Sequence, residues 1–405
     1  MIYTWALLLD GPMLVIILGL MLIKEFVMKG YTTIPVLYMR GGTSKGAYLY
    51  KPDLPADPQK RDEVILSLYG SPDARQIDGV GGADPLTSKV ALVGPSSVEG
   101  ADLDYTFGYV GIKDAVVDYE GNCGNISSGV GIFAILRGLI EPVEPMTVVR
   151  INNTNTNKII EAHIPVQDGM PVLTGDFAID GVPGTAAKIM LYFQNPAGSK
   201  TGKLLPTGNV RDEITLTSGK TIEVSLVDSA TPGVFVKAAD LGYVGTELPA
   251  EIEADPNHLL DVLEDIRTTA AVMMGLAETK ESASPAVPKV CMVAPAATYT
   301  AIDGRIIDDN NIDIVARTKA LAVIHKAYAV TGGISTATAA LIPGTVANDV
   351  VSSASKENHT VTLGHPGGTF TFNIDIDTNA LTVAKAGVAR TARPIMDGIA
   401  YVKEV

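Results

Sequence analysis

Hydrophobic positions in the first part of the chain form short runs, several of which alternate with polar residues, and this pattern predicts β-strands. The runs are rich in β-branched residues, which favour extended structure. The predicted strands span Pro35–Met39, Ala47–Tyr50, Lys89–Val93, Leu103–Val110, Met146–Asn152 and Ile159–Val166. A surface helix is predicted over Arg61–Tyr69, with Asp57 as its N-cap. Pro58 suits the first helical position, and Gly70 follows the end of the helix.

The second part of the chain has the same character. Its predicted strands span Lys188–Gln194, Thr221–Val227, Gly233–Ala238, Lys289–Val293, Thr360–Leu363, Thr369–Asp375 and Ala380–Ala384. Amphipathic spacing predicts one helix that opens at Asp255-Pro256 and runs to about Met274. The same spacing predicts another helix from about Ile312 to Tyr328.

Two further predicted helices have almost no polar face. Ile126–Ile140 follows Gly121–Asn125, and Ala337–Ile342 follows Thr331–Thr336. A helix that is apolar on all sides must be enclosed by other structure, and strands are the available neighbours. The chain is therefore predicted to be an α/β protein with two pseudo-symmetric halves, each a curled β-sheet wrapped around a central helix.

Turn residues at Asp180–Thr185 predict the boundary between these halves, which gives domains over residues 28–184 and 185–405. We expect the last strand, near Arg390–Arg393, to return to the first half. If both central helices pointed their N-termini at the cleft between the halves, two anion sites would face each other. A di- or tricarboxylate would fit such a cleft.

Residues 1–27 form an apolar N-terminal extension outside this pattern. Its apolar run, Met13–Ile23, is short for a membrane span, and Asp10, Gly11 and Pro12 interrupt it upstream. It has no preceding basic segment and no small-residue cleavage site, which argues against a signal peptide. We interpret Met28 as the true start of the protein, with a membrane anchor as the alternative.

Composition excludes several classes of function. The 405-residue chain is 46% hydrophobic and 19% charged, as in ordinary globular proteins. A formal net charge of −14 and a single Trp argue against a nucleic-acid partner. Two cysteines cannot form a disulfide framework, which favours a reducing, cytoplasmic compartment. The five histidines are scattered and match no metal-ligand motif, so no metal site is predicted.

Cys123 is predicted to lie at the first turn of the first central helix. There, unpaired backbone N–H groups and the positive end of the helix dipole would favour its thiolate. The N–H groups of Gly124 and Asn125 would also suit a carboxylate. The alternative is a small buried cysteine that caps a core helix.

A polar loop at Arg40–Gly46 contains Thr43 and Ser44. It lacks the spacing of a nucleotide phosphate loop, but its glycines, hydroxyls and cations suit a carboxylate. The alternative is a tight turn between two strands.

A Gly-rich segment runs from Gln76 to Lys89, and we expect Ser88, which directly precedes the lysine, to contact the substrate. Its glycines do not match the dinucleotide-binding pattern. If the amine of Lys89 were partly desolvated, its pKa would fall and it could act as a base. The alternative is a lysine that snorkels from the end of a strand.

Two other turn-like segments are equally open. Thr207, Gly208 and Asn209 could present a hydroxyl and an amide to a substrate, or form a turn. His365–Gly368 has the same ambiguity.

Eight motifs together carry a more specific signal. They are, in chain order, MRGGTSKG, GSPDARQIDGVGGADPLTSK, GNCGNISSGVG, NNTNT, IDGVPGT, LPTGN, HKAYA and RTARPIMDG. From about Ile34 to its C-terminus, the chain resembles the PrpF-type family of methylitaconate and methylaconitate isomerases. The resemblance implies a diaminopimelate-epimerase-like fold. It also implies an isomerase that needs no cofactor and moves a C=C bond, or changes its geometry, in unsaturated di- and tricarboxylates. A homo-oligomer is the usual expectation for such folds.

Three activities occur in this family: 3-methylitaconate Δ-isomerase, 2-methylaconitate isomerase and 4-oxalomesaconate tautomerase. The segments NISSGVG, NNTNTNK and IDGVPGT most resemble the methylitaconate enzyme. We therefore expect methylitaconate or methylaconitate isomerisation, with the tautomerase as the alternative. The competing class is an organic-acid-binding protein without catalysis.

Site residues follow from the resemblance, motif by motif. It assigns the catalytic lysine to Lys89, the catalytic cysteine to Cys123 and a substrate-contacting serine to Ser44. We expect Lys89 to remove an allylic proton and Cys123 to return one, and the reverse assignment stays open.

Epimerases of this superfamily carry a second cysteine at the entrance of the second central helix. This chain has Ser335 and Thr336 there, which we expect to contact the substrate, and Cys291 lies far upstream. The two-thiol device of racemisation is therefore absent from this position, which argues against amino-acid racemisation.

Overall fold

The computed structural model describes residues 29–320 and 323–404, so the predicted N-terminal extension lies outside the described residues. The strands are β1 Tyr31–Gly41, β2 Ser44–Tyr50, β3 Lys89–Pro95, β4 Leu103–Val110, β5 Val117–Asp118, β6 Met146–Asn153, β7 Lys158–Gln167, β8 Met170–Pro171, β9 Ile189–Gln194, β10 Asp212–Thr215, β11 Thr221–Ser229, β12 Thr231–Lys237, β13 Lys289–Pro295, β14 Tyr299–Thr300, β15 Ile306–Ile307, β16 Ile314–Ala320, β17 Val323–Ile324, β18 Thr360–His365, β19 Gly368–Asp377, β20 Thr382–Arg390 and β21 Ala392–Lys403. The α-helices are α1 Pro58–Tyr69, α2 Gly124–Leu136, α3 Ala238–Leu241, α4 Pro249–Glu253, α5 Leu259–Met273, α6 Val330–Leu341, α7 Val346–Val350 and α8 Ser353–Asn358.

Helix α1 begins and ends where its capping residues predict. The Asp57 carboxylate accepts a 3.0 Å hydrogen bond from the Lys60 N–H group, and Gly70 closes the helix in the left-handed conformation at φ 68°. Because these groups satisfy backbone partners that the helix leaves open, they fix its ends locally.

Helices of the second half differ from the prediction. The helix expected over Ile312–Tyr328 is wrong, because this segment forms strands β16 and β17. β16 is buried on both faces between β13 and β18, so its apolar residues do not alternate as they would on a half-exposed strand. Helix α5 starts at Leu259 instead of Asp255, whose carboxylate accepts from the Leu259 N–H group at 3.0 Å.

The two halves repeat one order of elements. In the first, the antiparallel pair β1–β2 leads through α1 to β3, which pairs parallel with β2 and antiparallel with β4 before α2. In the second, β11–β12 leads through α5 to β13, which pairs parallel with β12 and antiparallel with β16 before α6. The predicted pseudo-repeat is therefore present in the topology.

Each half encloses its central helix on the inner face of its strands. Every residue of α6 is buried, as are the first twelve residues of α2, and both helices share one large core with the inner strand faces. Helix α1 covers the outer face of the first half and α5 that of the second. Strand alternation thus separates an inner core from two outer cores.

Strands also join the two halves into one sheet system. β7 pairs antiparallel with β9, and β21 pairs antiparallel with β1 along Tyr31–Gly41. The domain boundary at residues 184 and 185 stays a prediction. Within residues 29–320 and 323–404, no helix has both the length and the apolar character needed to cross a membrane.

Glycines allow α2 to approach the surrounding strands closely. A Cβ atom placed on Gly131 would lie 2.2 Å from Cδ1 of Ile164 on β7, far inside van der Waals contact. The nearest other obstacle is Val149 Cγ2 at 3.4 Å, which is ordinary contact. One methyl group of Ile164 therefore limits this part of the helix.

We predict that Gly131→Ala lowers the free energy of unfolding by about 1–2 kcal/mol, because overpacking outweighs the gain in helix propensity. In an Ile164→Val background, the clashing Cδ1 is gone, so the same substitution should be neutral or stabilising by up to about 1 kcal/mol. Urea unfolding of the four proteins of this double-mutant cycle measures the difference. An equal cost in both backgrounds would contradict the proposed contact.

Candidate active site

Lys89 begins β3 opposite a glycine that permits an unusually close approach. The two residues pair across β2 and β3, and a Cβ atom on Gly46 would lie 1.7 Å from the Lys89 carbonyl oxygen. The Tyr69 hydroxyl donates to the same carbonyl oxygen. The Lys89 amine donates to the Ser44 hydroxyl at 3.0 Å. The start of β3 is thereby held from both sides, and it directs the amine toward the inner face.

Cys123 is 8% exposed and is the N-cap of α2, directly before the first turn, and its sulfur lies 3.5 Å from Nζ of Lys89. The Cys123 carbonyl oxygen accepts from the Ser127 N–H group at 2.9 Å and the Ser127 hydroxyl at 3.0 Å. Its thiol makes no capping bond, so the N–H groups that precede Ser127 in the helix stay open to a ligand. Amine, thiol and helix N-terminus therefore meet at one point.

The loop that carries Thr43 and Ser44 is clamped onto the start of α2. The Asn125 side-chain amide donates to the Thr43 hydroxyl at 3.1 Å. Gly42 adopts the left-handed conformation at φ 50°, and a Cβ atom there would lie 2.1 Å from Oδ1 of Asn125. The structure thus brings Thr43, Ser44, Gly124 and Asn125 together with Lys89 and Cys123.

The Ser88 hydroxyl forms hydrogen bonds within the protein on both sides. It is fully buried, donates to the Val110 carbonyl oxygen at 2.7 Å and accepts from the Gln76 amide at 2.8 Å. A Cβ atom on Gly81 would lie 2.3 Å from the Gln76 side chain, so the Gly-rich segment packs around that residue. These contacts give Ser88 a role in holding the loop before Lys89.

The entrance of the second central helix lies upstream of its predicted position. Helix α6 begins at Val330 with Ala329 as its N-cap, so Ser335 and Thr336 lie inside the helix. The Ser335 hydroxyl donates to the Val227 carbonyl oxygen at 3.3 Å, and Thr336 donates to Gly332 at 2.8 Å. The helix starts earlier than predicted because its small and polar residues, Thr331–Thr336, are buried together with the apolar ones and continue the same helix.

The N-termini of the two central helices approach each other. A Cβ atom on Gly124 would lie 2.5 Å from Cγ1 of Val330, so only a glycine fits at this point of α2. The positive ends of both helix dipoles therefore face one region of the molecule.

Thr207, Gly208 and Asn209 form the turn that the sequence left as an alternative. The Thr207 hydroxyl and the Asn209 amide donate to the two carboxylate oxygens of Asp212, at 2.7 and 2.9 Å. Gly208 has a φ of 85°. Among the described residues, no hydrogen bond joins this turn, Ser335 or Thr336 to Lys89 or Cys123.

Sequence reasoning missed a buried cation, Arg390, at the end of β20. Its guanidinium stacks 3.2 Å from the centre of the Phe370 ring, and its Nε atom is buried without a hydrogen-bond partner. Burial moves the pKa of Arg390 well below its usual range, opposed by the charges of Cys123 and Asp180. The residue also lines a cleft of about 330 Å³, whose lining includes neither Lys89 nor Cys123. The two arginines of the RTAR motif are the sequence feature that could have indicated a cation here.

His325 and Lys289 are further titratable groups near Lys89. Burial lowers the pKa of His325 to about 4, and the positive charge of Lys89 adds to this effect. The imidazole is therefore neutral at neutral pH, and its Nδ1 atom accepts from the Ala327 N–H group at 3.0 Å.

Within residues 29–320 and 323–404, no group of His, Cys, Asp or Glu is arranged to hold a metal ion.

The sequence profile of the family described as PrpF protein matches residues 31–403. The chain belongs to the PrpF family. It is 48% identical to 3-methylitaconate isomerase from Eubacterium barkeri, over 92% of this chain and 97% of the relative. It is 41% identical to 4-oxalomesaconate tautomerase from Pseudomonas putida, over 91% and 96%. It is 38% identical to 2-methyl-aconitate isomerase from Shewanella oneidensis, over 90% and 96%. These relatives confirm the predicted family and isomerase function.

Solved structures agree with the predicted fold of this PrpF member. A crystal structure of methylitaconate-delta-isomerase superposes with a TM-score of 0.80 at 48% identity and covers 92% of this chain and 96% of its own. A hydroxyproline epimerase from Agrobacterium vitis superposes with a TM-score of 0.53 at 15% identity, over 92% of both chains. The second likeness shows the fold alone, and it confirms the epimerase-like architecture.

We predict that iodoacetamide modifies Cys123 well before Cys291. Cys123 borders the open helix N-terminus, whereas Cys291 is 1% exposed and lies in hydrogen bonds with Thr318 and Tyr328. Peptide mass spectrometry after timed alkylation measures both rates, and Cys123→Ser serves as the control. Equal labelling of the two cysteines in the folded protein would contradict the predicted accessibility of the site.

Proposed function

We propose that this PrpF protein moves a C=C bond within an unsaturated di- or tricarboxylate by allylic proton transfer, with 3-methylitaconate or 2-methylaconitate as substrate. The observation that carries the proposal is the 3.5 Å contact between the Lys89 amine and the Cys123 thiol at the N-terminus of α2. The 48% identity to a 3-methylitaconate isomerase supports the choice of substrate.

The geometry suits removal of a weakly acidic proton. An allylic C–H bond next to a conjugated carboxylate yields a dienolate, so negative charge builds on the carboxylate oxygens. The N–H groups of Gly124 and Asn125 and the Ser44 hydroxyl lie where they would stabilise that charge. One well-placed donor of this kind contributes about 3–4 kcal/mol to transition-state stability.

Two acid–base groups side by side can serve the two ends of an allyl unit. Lys89 removes a proton from one carbon, and Cys123 delivers a proton to the carbon two positions away. The hydrogen bond from Lys89 to Ser44 holds the amine in place between turnovers. The dienolate between the steps needs no bound group to accept electrons.

Arg390 supports an anionic substrate. It is a buried guanidinium without a carboxylate partner among the described residues, and Cys123 is close enough to affect its pKa. An unpaired buried cation is costly, and a substrate carboxylate would offset that cost. The helix N-termini at Gly124 and Val330 add further positive potential.

A 4-oxalomesaconate tautomerase is the second candidate, because a tautomerase of that name is 41% identical over nearly the whole chain. The same amine and thiol would serve a keto–enol proton transfer. The homo-oligomer and the cytoplasmic compartment expected from the sequence stay predictions, as does the contact of Thr207–Asn209 with substrate.

We predict that the purified protein catalyses solvent-deuterium exchange into 3-methylitaconate or 2-methylaconitate, followed by NMR in D2O. Lys89→Met should abolish exchange, and Cys123→Ala should slow turnover by about 100-fold or more while the fold is kept, because general acid–base groups contribute on this scale. Lys356→Met, on the exposed helix α8, is the matched control and should match the wild type.

The same panel includes 4-oxalomesaconate, and preferential turnover of that acid would favour the second candidate. Binding of all three acids without exchange would indicate a binding protein. Full activity of Lys89→Met would overturn the role of this residue.

A further inference from the structure

The pseudo-repeat supplies a second lysine in the position of Lys89. β3 reads KVALVGP and β13 reads KVCMVAP, and their burial patterns are the same. Lys89 pairs with Gly46 on the parallel strand β2, and Lys289 pairs with Gly233 on the parallel strand β12. Two residues before each glycine stands a hydroxyl residue, Ser44 in the first half and Thr231 in the second.

Strand alternation directs Lys289 to the inner face. Cys291 and Val293 of β13 belong to the inner core with α6, whereas Val290 and Met292 belong to the outer core with α5. Lys289 shares its face with Cys291 because side chains two apart lie on one side of a strand. The Tyr328 hydroxyl, just before α6, donates to the Cys291 sulfur at 3.3 Å, so the start of α6 lies beside the start of β13.

The Lys289 side chain is half-buried, and its amine makes no hydrogen bond or ion pair with any of the described residues. Burial lowers its pKa to about 8, and the charge of Lys89 contributes to this shift. The charged or titratable groups that face it are Lys89, Arg267, Asp118, Cys291 and His325. A half-buried amine close to a second amine is repelled by it, and an anion that binds between the two would offset that repulsion.

We propose that Lys289, in the second half of the molecule, binds a carboxylate of the polycarboxylate substrate on which Lys89 acts from the first half. This inference rests on the proposed function and deepens it, because it assigns the second half of the molecule a direct part in substrate recognition. Lys89 and Cys123 act on the carbon skeleton, while Lys289 and the N-terminus of α6 hold a carboxylate that does not react. The chemistry that Lys289 recognises is a carboxylate carried by a substrate with at least two such groups.

Calorimetric titration with tricarballylate, a saturated tricarboxylate that cannot isomerise, tests the proposal without relying on turnover. Lys289→Met should weaken binding about tenfold or more at pH 7, since a charge-assisted hydrogen bond to a carboxylate is lost. Lys289→Arg should largely restore binding, and Lys356→Met is the control. In the wild type, affinity should fall as the pH rises through about 8, because Lys289 loses its proton; Lys289→Arg should lack this step.

Turnover provides a second readout. With the preferred acid, Lys289→Met should raise KM more than it lowers kcat. Unchanged affinity of Lys289→Met for tricarballylate overturns the proposal. If that variant also loses deuterium exchange at one carbon of the substrate, Lys289 is an acid–base group instead. If the wild type isomerises none of the acids but still binds tricarballylate through Lys289, the proposed function fails and the carboxylate site stands.

Discussion

The enclosure of two apolar helices by curled sheets is the constraint on which the rest of the molecule depends. Helices α2 and α6 have almost no face that water could cover, so strands must surround them. Enclosure also places the helix N-termini in the interior, where their first N–H groups have no intrahelical partner. A buried, unsatisfied N–H group is costly, and an anionic ligand satisfies it. The architecture alone therefore leaves backbone N–H groups that suit an anion, whatever side chains surround them.

Close packing sharpens that site. Gly124 lets the start of α2 approach Val330 at the start of α6, and Gly46 lets β2 approach the backbone of Lys89. Each contact excludes even one methyl group. Because these glycines fix backbone positions, the Lys89 and Cys123 side chains need few contacts of their own: Lys89 is oriented by Ser44, and Cys123 by its place at the end of a helix.

The sequence predicted those parts of the fold that local chemistry determines. Asp57, Pro58 and Gly70 define α1, and the β-branched runs of the first half became strands. It failed where burial on both faces removes periodicity, as in β16, and where small polar residues lie inside a buried helix, as Ser335 and Thr336 do. The pairing of Lys89 with Cys123 came from motif resemblance, whereas the enclosure of Arg390 needed the fold.

The two halves share their inner-strand lysines and the direction of their central helices, but they differ in the N-cap of those helices. Charge is kept in both halves: each inner strand begins with a lysine opposite a glycine, and each central helix directs its N-terminus to the same region. The thiol is not kept, because the N-cap is Cys123 in one half and Ala329 in the other. A racemase needs acid–base groups on opposite faces of one carbon, whereas moving a double bond needs them at the two ends of an allyl unit. The thiol of the second half, Cys291, lies within strand β13 in hydrogen bonds with Thr318 and Tyr328 and not at a helix N-cap. The amine of Lys89 and the thiol of Cys123 lie side by side in one half, which suits the proposed double-bond shift and not racemisation by two opposed thiols.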